Sequence, residues 1–277
     1  MITVLTGAAS GIGRATAQLL SERGVELVLV DRDEHGLHET ARLLQGPRPR
    51  LEVVDLSSIE EVCCLAEEIS EEPVDVLINN AGVLVESPVK SRDGYELTFA
   101  VNLLAPFLLT RLLWPQLLSS GQGRVVNVSS LAYRHGTMDI GNLGSTDGFT
   151  RYGAYASSKL GLLLLTRALA RRAVDLPVAV NAIHPGVIGT GLGEGGCVSL
   201  LLRLAGPLLK TPRHGASGLV HLALETDVWG CRGEYFVGRN ARNTTPRGRD
   251  EAQEEALFRA LEALVEPSVT LPSLAPL

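Results

Sequence analysis

Residues 6–13 read Thr6-Gly7-Ala8-Ala9-Ser10-Gly11-Ile12-Gly13 and follow directly on an apolar run at residues 2–6. Glycines between a strand and a helix let the backbone approach a pyrophosphate, which the positive end of the helix dipole attracts. The spacing is Gly-x3-Gly-x-Gly rather than Gly-x-Gly-x2-Gly, and a tight strand-to-helix turn would use the same residues. We favour a nucleotide site because the motif follows the first strand of the chain.

Further apolar runs rich in β-branched residues recur after this motif, with helix-length segments between them. Together with residues 2–6, the runs lie at residues 27–30, 51–54, 74–78, 124–128, 178–183 and 234–237. This alternation is typical of parallel strands joined by helical crossovers. We therefore predict an α/β fold: a single doubly wound (Rossmann-type) parallel seven-stranded sheet with helices on both faces. This domain should span residues 1–266, with a C-terminal tail at 267–277.

Polar residues cluster where the predicted strands end. Ligands of doubly wound sheets bind beyond the carboxyl ends of the strands, so these positions are the functional candidates. They are residues 7–13, Asp31, Asp55, residues 79–82, residues 129–130 and residues 184–190. A long irregular segment follows the sixth strand, and we predict a substrate lid at about residues 189–215.

The composition argues against several classes of protein. Of the 277 residues, 45% are hydrophobic and 20% are charged, as in a soluble globular domain. The net charge is −6 and the basic residues are scattered, so we expect no nucleic-acid partner. The cysteines have neither metal-ligand nor disulfide spacing, so we expect no metal site.

We also expect no signal peptide and no membrane span. The strand-like start leaves no room for a signal peptide. The longest apolar run, residues 103–118, is interrupted by Pro106, Arg111 and Pro115 and is too short to span a membrane. We expect a cytoplasmic protein.

Asp31 ends the second predicted strand, 18 residues after Gly13. An acidic residue at this distance hydrogen-bonds the adenosine ribose hydroxyls and repels a 2′-phosphate. Ser10 supplies no positive charge for such a phosphate. Arg32 points the other way, because it can pair with a phosphate or cover the adenine. We expect NAD as cofactor and keep NADP as the alternative.

Tyr155 and Lys159 begin a long apolar helical segment, and their spacing of four places them on one face of a helix. A cation beside a phenol favours the phenolate, so the pair can exchange protons near neutral pH. On its own, such a pair is more often an ordinary helix surface.

With these residues assembled, the chain resembles the classical short-chain dehydrogenase/reductase family from Thr6 to about Val237. The family motifs appear in order, at Thr6 to Gly13, Asp55-Leu56, Asn79-Asn80-Ala81-Gly82, Asn102, Ser129-Ser130, Tyr155-x3-Lys159 and Pro185-Gly186. The long gap between Ser130 and Tyr155 makes the chain look closest to the retinol-dehydrogenase-like branch. That branch often carries a membrane anchor and prefers NADP. In this sequence Ser10 supplies no positive charge and Asp31 is present. The resemblance therefore does not carry retinoid activity over to this sequence.

The resemblance implies catalytic roles for Ser130, Tyr155, Lys159 and Asn102. Tyr155 would exchange the substrate proton while hydride passes to or from the nicotinamide. Lys159 would lower the pKa of Tyr155, and Ser130 would donate a hydrogen bond to the substrate oxygen. Asn102 would hold a water that links Lys159 to solvent. Two alternatives stay open: Asn102 as a core amide bridging backbone groups, and Ser130 as a turn cap.

The resemblance also implies a set of cofactor contacts. Asn80 and Gly82 would lie near the adenosine ribose, and Ile188 and Thr190 near the nicotinamide carboxamide. The full set is Gly7, Ser10, Gly11, Ile12, Gly13, Asp31, Arg32, Asp55, Leu56, Asn80, Ala81, Gly82, Val101, Tyr155, Lys159, Pro185, Gly186, Ile188 and Thr190.

We therefore expect an oxidoreductase that transfers hydride between NAD(H) and an alcohol or carbonyl. The apolar stretch at residues 198–209 favours an apolar secondary alcohol or ketone. One alternative is an NADP-dependent carbonyl reductase, and another is an NAD(H)-sensing or scaffold protein without turnover. Leucine-rich faces at residues 103–118 and 160–169 would suit a homodimer or homotetramer, although burial within one chain would need the same leucines.

Overall fold

A computed structural model of the chain describes residues 1–186 and 211–275. These residues form one sheet in the order β3-β2-β1-β4-β5-β6-β7-β8. The strands are β1 Ile2–Thr6, β2 Glu26–Asp31, β3 Arg50–Val53, β4 Val76–Asn79, β5 Gly123–Val128, β6 Val178–His184, β7 Tyr235–Val237 and β8 Asn240–Ala241. Strands β1 to β7 are parallel, so their carboxyl ends share one edge of the sheet. The doubly wound prediction is confirmed.

The prediction of seven strands was one short, because the sheet has an eighth strand. Val237 pairs with Asn240 and Phe236 with Ala241, which makes β8 antiparallel to β7. Gly238, with φ of +63°, turns the chain back in a two-residue hairpin, where a glycine at the first loop position is favoured. Two residues carry no alternation that a sequence reading could detect.

Helices cover both faces of the sheet. They are α1 Gly11–Ser21, α2 Glu34–Arg42, α3 Ile59–Ile69, α4 Leu97–Phe99, α5 Ala105–Leu112, α6 Trp114–Ser119, α7 Arg151–Arg172, α8 Pro212–Leu224 and α9 Glu251–Val265, with a π-helix at Ala100–Leu104 between α4 and α5. One core cluster lies under α1, α2 and α8, and the other under α3, α5 and α7. None of the helices in the described ranges is long and apolar enough to cross a membrane.

A further layer lies outside α5 and α7. Helix α9 packs on both. The ring centroid of Phe258 in α9 lies 5.5 Å from the guanidinium carbon of Arg111 and 3.7 Å from that of Arg172. Residues 266–275 continue across α5 and α6, where Pro272 O accepts from Arg111 (2.8 Å) and Leu274 O from Trp114 Nε1 (3.2 Å). We call α9 and residues 266–275 the C-terminal arm.

The order of the strands places the candidate site. The chain runs from β1 outward to β3 and then returns to place β4 on the other side of β1. A crevice opens beyond the carboxyl ends of β1 and β4 where the winding reverses, and ligands of such sheets bind there. The glycine motif follows β1, and residues 79–82 follow β4.

Candidate functional site

The glycine motif forms a tight turn between β1 and α1. Gly7 has φ of +69°, a conformation that side chains disfavour. A Cβ at Gly13 would lie 1.9 Å from Gly7 O, so only glycine fits this position. Nδ2 of Asn80, which follows β4, donates to Thr6 O (2.9 Å) and Gly7 O (3.1 Å) and so stabilises the turn.

The start of α1 is available to an anion. Ser10 is the N-cap residue, yet its side chain accepts no hydrogen bond from the first turn, unlike the caps of α2, α3, α7, α8 and α9. The first amide groups of a helix need partners and carry the positive end of its dipole. Gly11, Ile12 and Gly13 therefore present N–H groups of the kind that bind phosphate.

Asp31 lies at the end of β2, next to the glycine motif. Its Oδ2 accepts from Ala9 N (3.0 Å) and its Oδ1 from Asp33 N (3.1 Å). Two backbone amides thus fix the carboxylate, which forms no ion pair with the described residues. Arg32 is exposed and likewise makes no ion pair within the described residues.

Sequence reasoning missed Arg14, which braces the motif against α2. Its guanidinium donates to Ala9 O and to Glu39 Oε2 (2.9 Å), and its Nε donates to Thr40 Oγ1 (3.0 Å). Ala9 is therefore held at its N–H by Asp31 and at its carbonyl by Arg14. An arginine four residues after Ser10 carries no distinctive spacing in the sequence alone.

The remaining predicted cofactor residues surround the crevice. Asp55 follows β3 and accepts from Ser57 N (2.9 Å), with Leu56 partly buried beside it. Val101 is buried, so it would serve core packing as well as a cofactor contact. Ala81 N donates to Thr6 Oγ1 (3.1 Å). Pro185 and Gly186 follow β6, whereas Ile188, Thr190 and residues 189–210 of the predicted lid lie outside the described residues.

Ser130 and Tyr155 are brought together from two elements. Ser130 follows β5, and its Oγ accepts from Ala132 N (3.2 Å) to cap the short 3-10 helix Leu131–His135. It also hydrogen-bonds the phenol of Tyr155 in the second turn of α7. The serine therefore caps a turn and contacts the candidate proton donor at the same time.

Lys159 is buried one turn further along α7. Its Nζ donates to Val128 O (2.9 Å), and it lies 5.7 Å from the centroid of the Tyr155 ring. Burial lowers the pKa of Lys159 to about 8. Ser129 Oγ donates to Lys159 O (3.0 Å) and ties the end of β5 to this turn of α7.

The expectation that Lys159 lowers the pKa of Tyr155 stays a prediction, and in this structure the net shift of that pKa is upward. Burial raises the pKa of Tyr155, the hydrogen bond with Ser130 opposes that shift, and the nearby Tyr152 adds to it. The ammonium of Lys159 donates to the backbone of β5, and burial of the phenol is the largest cause of the upward shift.

Asn102 lies in the π-helix, a form that often occurs at functional sites. Its Oδ1 accepts from Val83 N (2.8 Å), and its Nδ2 donates to Val83 O (3.0 Å) and Ser158 Oγ (3.1 Å). This is the bridging geometry that the sequence left open as the alternative. A Cβ built on Gly82 would lie 3.4 Å from both Asn102 Oδ1 and Lys159 Nζ, so the three residues meet at one point.

Sequence reasoning also missed a series of hydrogen bonds between buried polar side chains below the site. Asn79 Nδ2 donates to Thr110 Oγ1 (3.2 Å) and to Asn127 Oδ1 (2.8 Å), and Asn127 Nδ2 donates to Thr166 Oγ1 (2.9 Å). The series connects α5, β4, β5 and α7. Asn127, a lone amide inside an apolar strand, was the available signal, because a buried amide needs partners.

These residues fit a nicotinamide dinucleotide. The glycine turn permits close backbone approach, the start of α1 offers free amides, and Asp31 supplies a carboxylate where a ribose would lie. By contrast, no group of three or more His, Cys, Asp or Glu residues within 1–186 and 211–275 is placed to hold a metal ion.

Comparisons with known proteins agree with this geometry. Residues 1–195 match the family model described as short chain dehydrogenase. Human retinol dehydrogenase 14 is 36% identical over 286 residues, covering 95% of this chain and 85% of that protein. Human retinol dehydrogenase 12 is 36% identical over 264 residues, covering 93% and 84%. Mouse polyprenol dehydrogenase is 35% identical over 275 residues, covering 94% and 78%.

Solved structures give the same result. An uncharacterised protein from Mycobacterium paratuberculosis superposes with a TM-score of 0.80 at 28% identity, over 96% of this chain and 93% of that one. A protein described as an NAD(P)-dependent gluconate 5-dehydrogenase from Beutenbergia cavernae, with NADP bound at low occupancy, gives a TM-score of 0.68 at 28% identity, over 85% and 94%. The chain belongs to the short-chain dehydrogenase family, on its retinol-dehydrogenase-like branch, and is an NAD(P)-dependent oxidoreductase that acts on CH–OH donors.

Proposed function

We propose that the chain uses NAD(H) to interconvert an apolar secondary alcohol and its ketone, with Tyr155 as the residue that exchanges the proton. The bound cofactor supplies or accepts the hydride. Ser130 donates a hydrogen bond to the substrate oxygen and positions it against the Tyr155 hydroxyl. The hydrogen bond between Ser130 and Tyr155 supports this arrangement.

In this proposal Lys159 and Asn102 serve the proton transfer. Lys159 is a buried cation whose pKa of about 8 lies near neutrality, so its field at the phenol depends on its own proton. Asn102 fixes the loop at Val83 and the side chain of Ser158 around it. We assign Asn102 a positioning role, because its amide is committed to these partners.

The observation that carries the NAD preference is the fixed carboxylate of Asp31. It accepts from two backbone amides and forms no ion pair with the described residues, so none of their cations lies between it and a bound ribose. A 2′-phosphate at ~4 Å from this charge would cost about 4 kcal/mol at an effective dielectric constant near 20. Arg32, exposed beside it, favours the alternative of an NADP-dependent carbonyl reductase, as does the NADP in the Beutenbergia cavernae protein.

A parallel fluorescence titration with NADH and NADPH tests the preference. We expect NADH to bind about tenfold or more tightly in the unmodified chain. Asp31→Ser should remove that margin, because it deletes the repelling charge. Arg32→Ala, the matched control, should weaken the binding of NADPH and leave the binding of NADH unchanged. Tighter binding of NADPH by the unmodified chain would establish the NADP-dependent alternative.

The apolar substrate is proposed from two observations. The relatives are named for retinol and polyprenol, both largely hydrocarbon primary alcohols, so the names support the apolar character of the substrate and not its secondary carbon. The apolar residues at 198–209 favour the same class, although they lie outside the described residues. Turnover of apolar ketones with NADH would separate this proposal from an NAD(H) sensor, which would bind the cofactor and turn over none of them. The cytoplasmic location stays a prediction.

Assembly is the point on which we depart from the sequence expectation. The leucines that suggested a homodimer or homotetramer, among them Leu108, Leu109, Leu163 and Leu164, are at most 1% exposed within the single chain. The C-terminal arm covers their helices. We propose that the protein is a monomer.

A further inference from the structure

Two hydrogen-bonded pairs connect the 3-10 helix Leu131–His135 to α7. The inner pair is Ser130 with Tyr155. The outer pair is His135 with Tyr152, whose Nδ1 and Oη are 2.9 Å apart and whose ring centroids are 5.8 Å apart. Ser130 caps the start of this short helix, and His135 is its last residue. Tyr152 and Tyr155 are three residues apart on α7, so they project from one side of it, about 4.5 Å apart along the axis.

The backbone below the outer pair is firmly held. Tyr133, fully buried, accepts from Thr245 N (3.1 Å) through its Oη. Gly136 lies so close to α7 that a Cβ would be 2.4 Å from Ala156 O. Thr137 N donates to Ser157 Oγ (3.1 Å). Although His135 is exposed, its position relative to Tyr155 is therefore fixed.

The outer pair keeps unused hydrogen-bonding capacity. Tyr152 is 53% exposed, so its hydroxyl can be reached by a ligand while it contacts His135. One contact uses Nδ1 of His135 and leaves Nε2, and the Tyr152 oxygen retains a further lone pair. Tyr152 also helps to raise the pKa of Tyr155, which agrees with the two phenols being close.

We propose that the outer pair is a specificity subsite that binds a second oxygen atom of the substrate. The inference rests on the proposed function, because the second oxygen is located by its distance from the reacting oxygen, which Ser130 and Tyr155 hold. About one helical step of three residues, close to 5 Å, separates the two positions. The preferred substrate is then an otherwise apolar ketone or alcohol that carries a hydroxyl or carbonyl two or three carbon atoms from the reacting carbon.

Two matched ketones test the subsite: 2-octanone and 4-hydroxy-2-octanone, which adds one hydroxyl. In the unmodified chain with NADH we expect kcat/KM to favour the hydroxyketone by about threefold to tenfold, the range that one hydrogen bond between neutral groups supplies. Tyr152→Phe and His135→Leu should each remove this preference by raising KM for the hydroxyketone only. His38→Ala, an exposed histidine on α2 at the other end of the sheet, should leave it intact.

A second measurement does not depend on turnover. Calorimetry with the NADH complex of Tyr155→Phe gives the dissociation constants of both ketones, and adding Tyr152→Phe should abolish their difference. Discrimination in binding without turnover by the unmodified chain would uphold the subsite and overturn the proposed reaction. Turnover with equal kcat/KM for the two ketones, a preference that survives Tyr152→Phe, or undetectable binding of both would overturn the subsite.

Discussion

Tyrosine and phenylalanine differ by one oxygen atom, which makes Tyr155→Phe the most direct test at the scale of a residue. The ring keeps its packing on α7, but the proton donor and its hydrogen bond with Ser130 are lost. We expect kcat to fall by about 10²- to 10⁴-fold, the usual contribution of a positioned acid or base. NADH affinity, measured by fluorescence, should change less than twofold. A variant that retains more than a tenth of the activity would exclude Tyr155 as the proton donor.

The pKa of Lys159 leads to a prediction about stability. Burial lowers it from 10.5 to about 8, so between these pH values the unfolded chain binds more protons and stability rises with pH. The buried ammonium therefore destabilises the folded chain fully below pH 8, and the penalty disappears as the pH approaches 10.5. We expect the unfolding free energy of the unmodified chain, measured in urea, to rise between these pH values by roughly 3 kcal/mol relative to that of Lys159→Met. Parallel pH curves for the two proteins would contradict the buried charge.

Residue identities were easier to predict than their electrostatics. Ser130, Tyr155 and Lys159 were located from order and spacing, and the structure brings Ser130 into contact with Tyr155. The direction of the Tyr155 pKa was not predictable, because it depends on burial and on where the Lys159 ammonium points. The spacing of four residues between Tyr155 and Lys159 determines neither the burial of the phenol nor the direction of the ammonium.

At the scale of an element, the contact between the helix Leu131–His135 and α7 is decisive because the two carry opposite sides of the candidate site. Gly136→Ala would place a Cβ 2.4 Å from Ala156 O and force them apart. We expect a loss of about 1–3 kcal/mol in unfolding free energy, typical of overpacking, together with a lower kcat. Gly230→Ala, which meets nothing within 4 Å, is the control and should change neither. An unchanged kcat in Gly136→Ala would show that the spacing of the two elements is not critical.

The seven parallel strands followed from the sequence because each lies in an apolar run between longer segments. The shorter features did not. β8 has two residues, and the π-helix at Ala100–Leu104 differs from an α-helix only in its hydrogen-bond register. The hydrogen bonds that join Thr110, Asn79, Asn127 and Thr166 connect elements far apart in sequence, so no local sequence pattern predicts them.

At the scale of the molecule, the C-terminal arm should keep the chain monomeric. Size-exclusion chromatography with light scattering should give a mass near 29.5 kDa. Leu261→Asp would place a charge in the fully buried face of α9, detach the arm and expose the leucines, so we expect self-association that grows with concentration. Ala256→Asp, on the exposed side of the same helix, is the control. A dimer or tetramer of the unmodified chain would refute the monomer.

The attachment of the arm can be measured separately through Arg111. This guanidinium is buried, pairs with Glu262 and donates to Pro272 O. Arg111→Ala leaves the arm without these contacts and should cost about 3 kcal/mol of unfolding free energy, as for a broken buried ion pair. Arg259→Ala, which breaks an exposed pair with Glu255, should cost less than about 0.5 kcal/mol. Equal costs would mean that Arg111 does not hold the arm.

The sequence showed the leucine-rich faces of α5 and α7 but not what covers them. An apolar helix face buries equally well against a second copy or against a later segment of the same chain. Phe258, Arg111 and Arg172 decide between these outcomes only once their side chains are seen stacked.

The arm also constrains how the protein is made. Synthesis proceeds from the N-terminus, so β1 to β7 and α5 to α7 leave the ribosome before residues 257–274 that close the core. Until those residues emerge, the outer faces of α5 and α7 remain open to water and to other nascent chains. A chain released before residues 257–274 emerge would be nearly complete and would still carry the aggregation risk of an unfinished one. The finished fold should form only after these residues have left the ribosome.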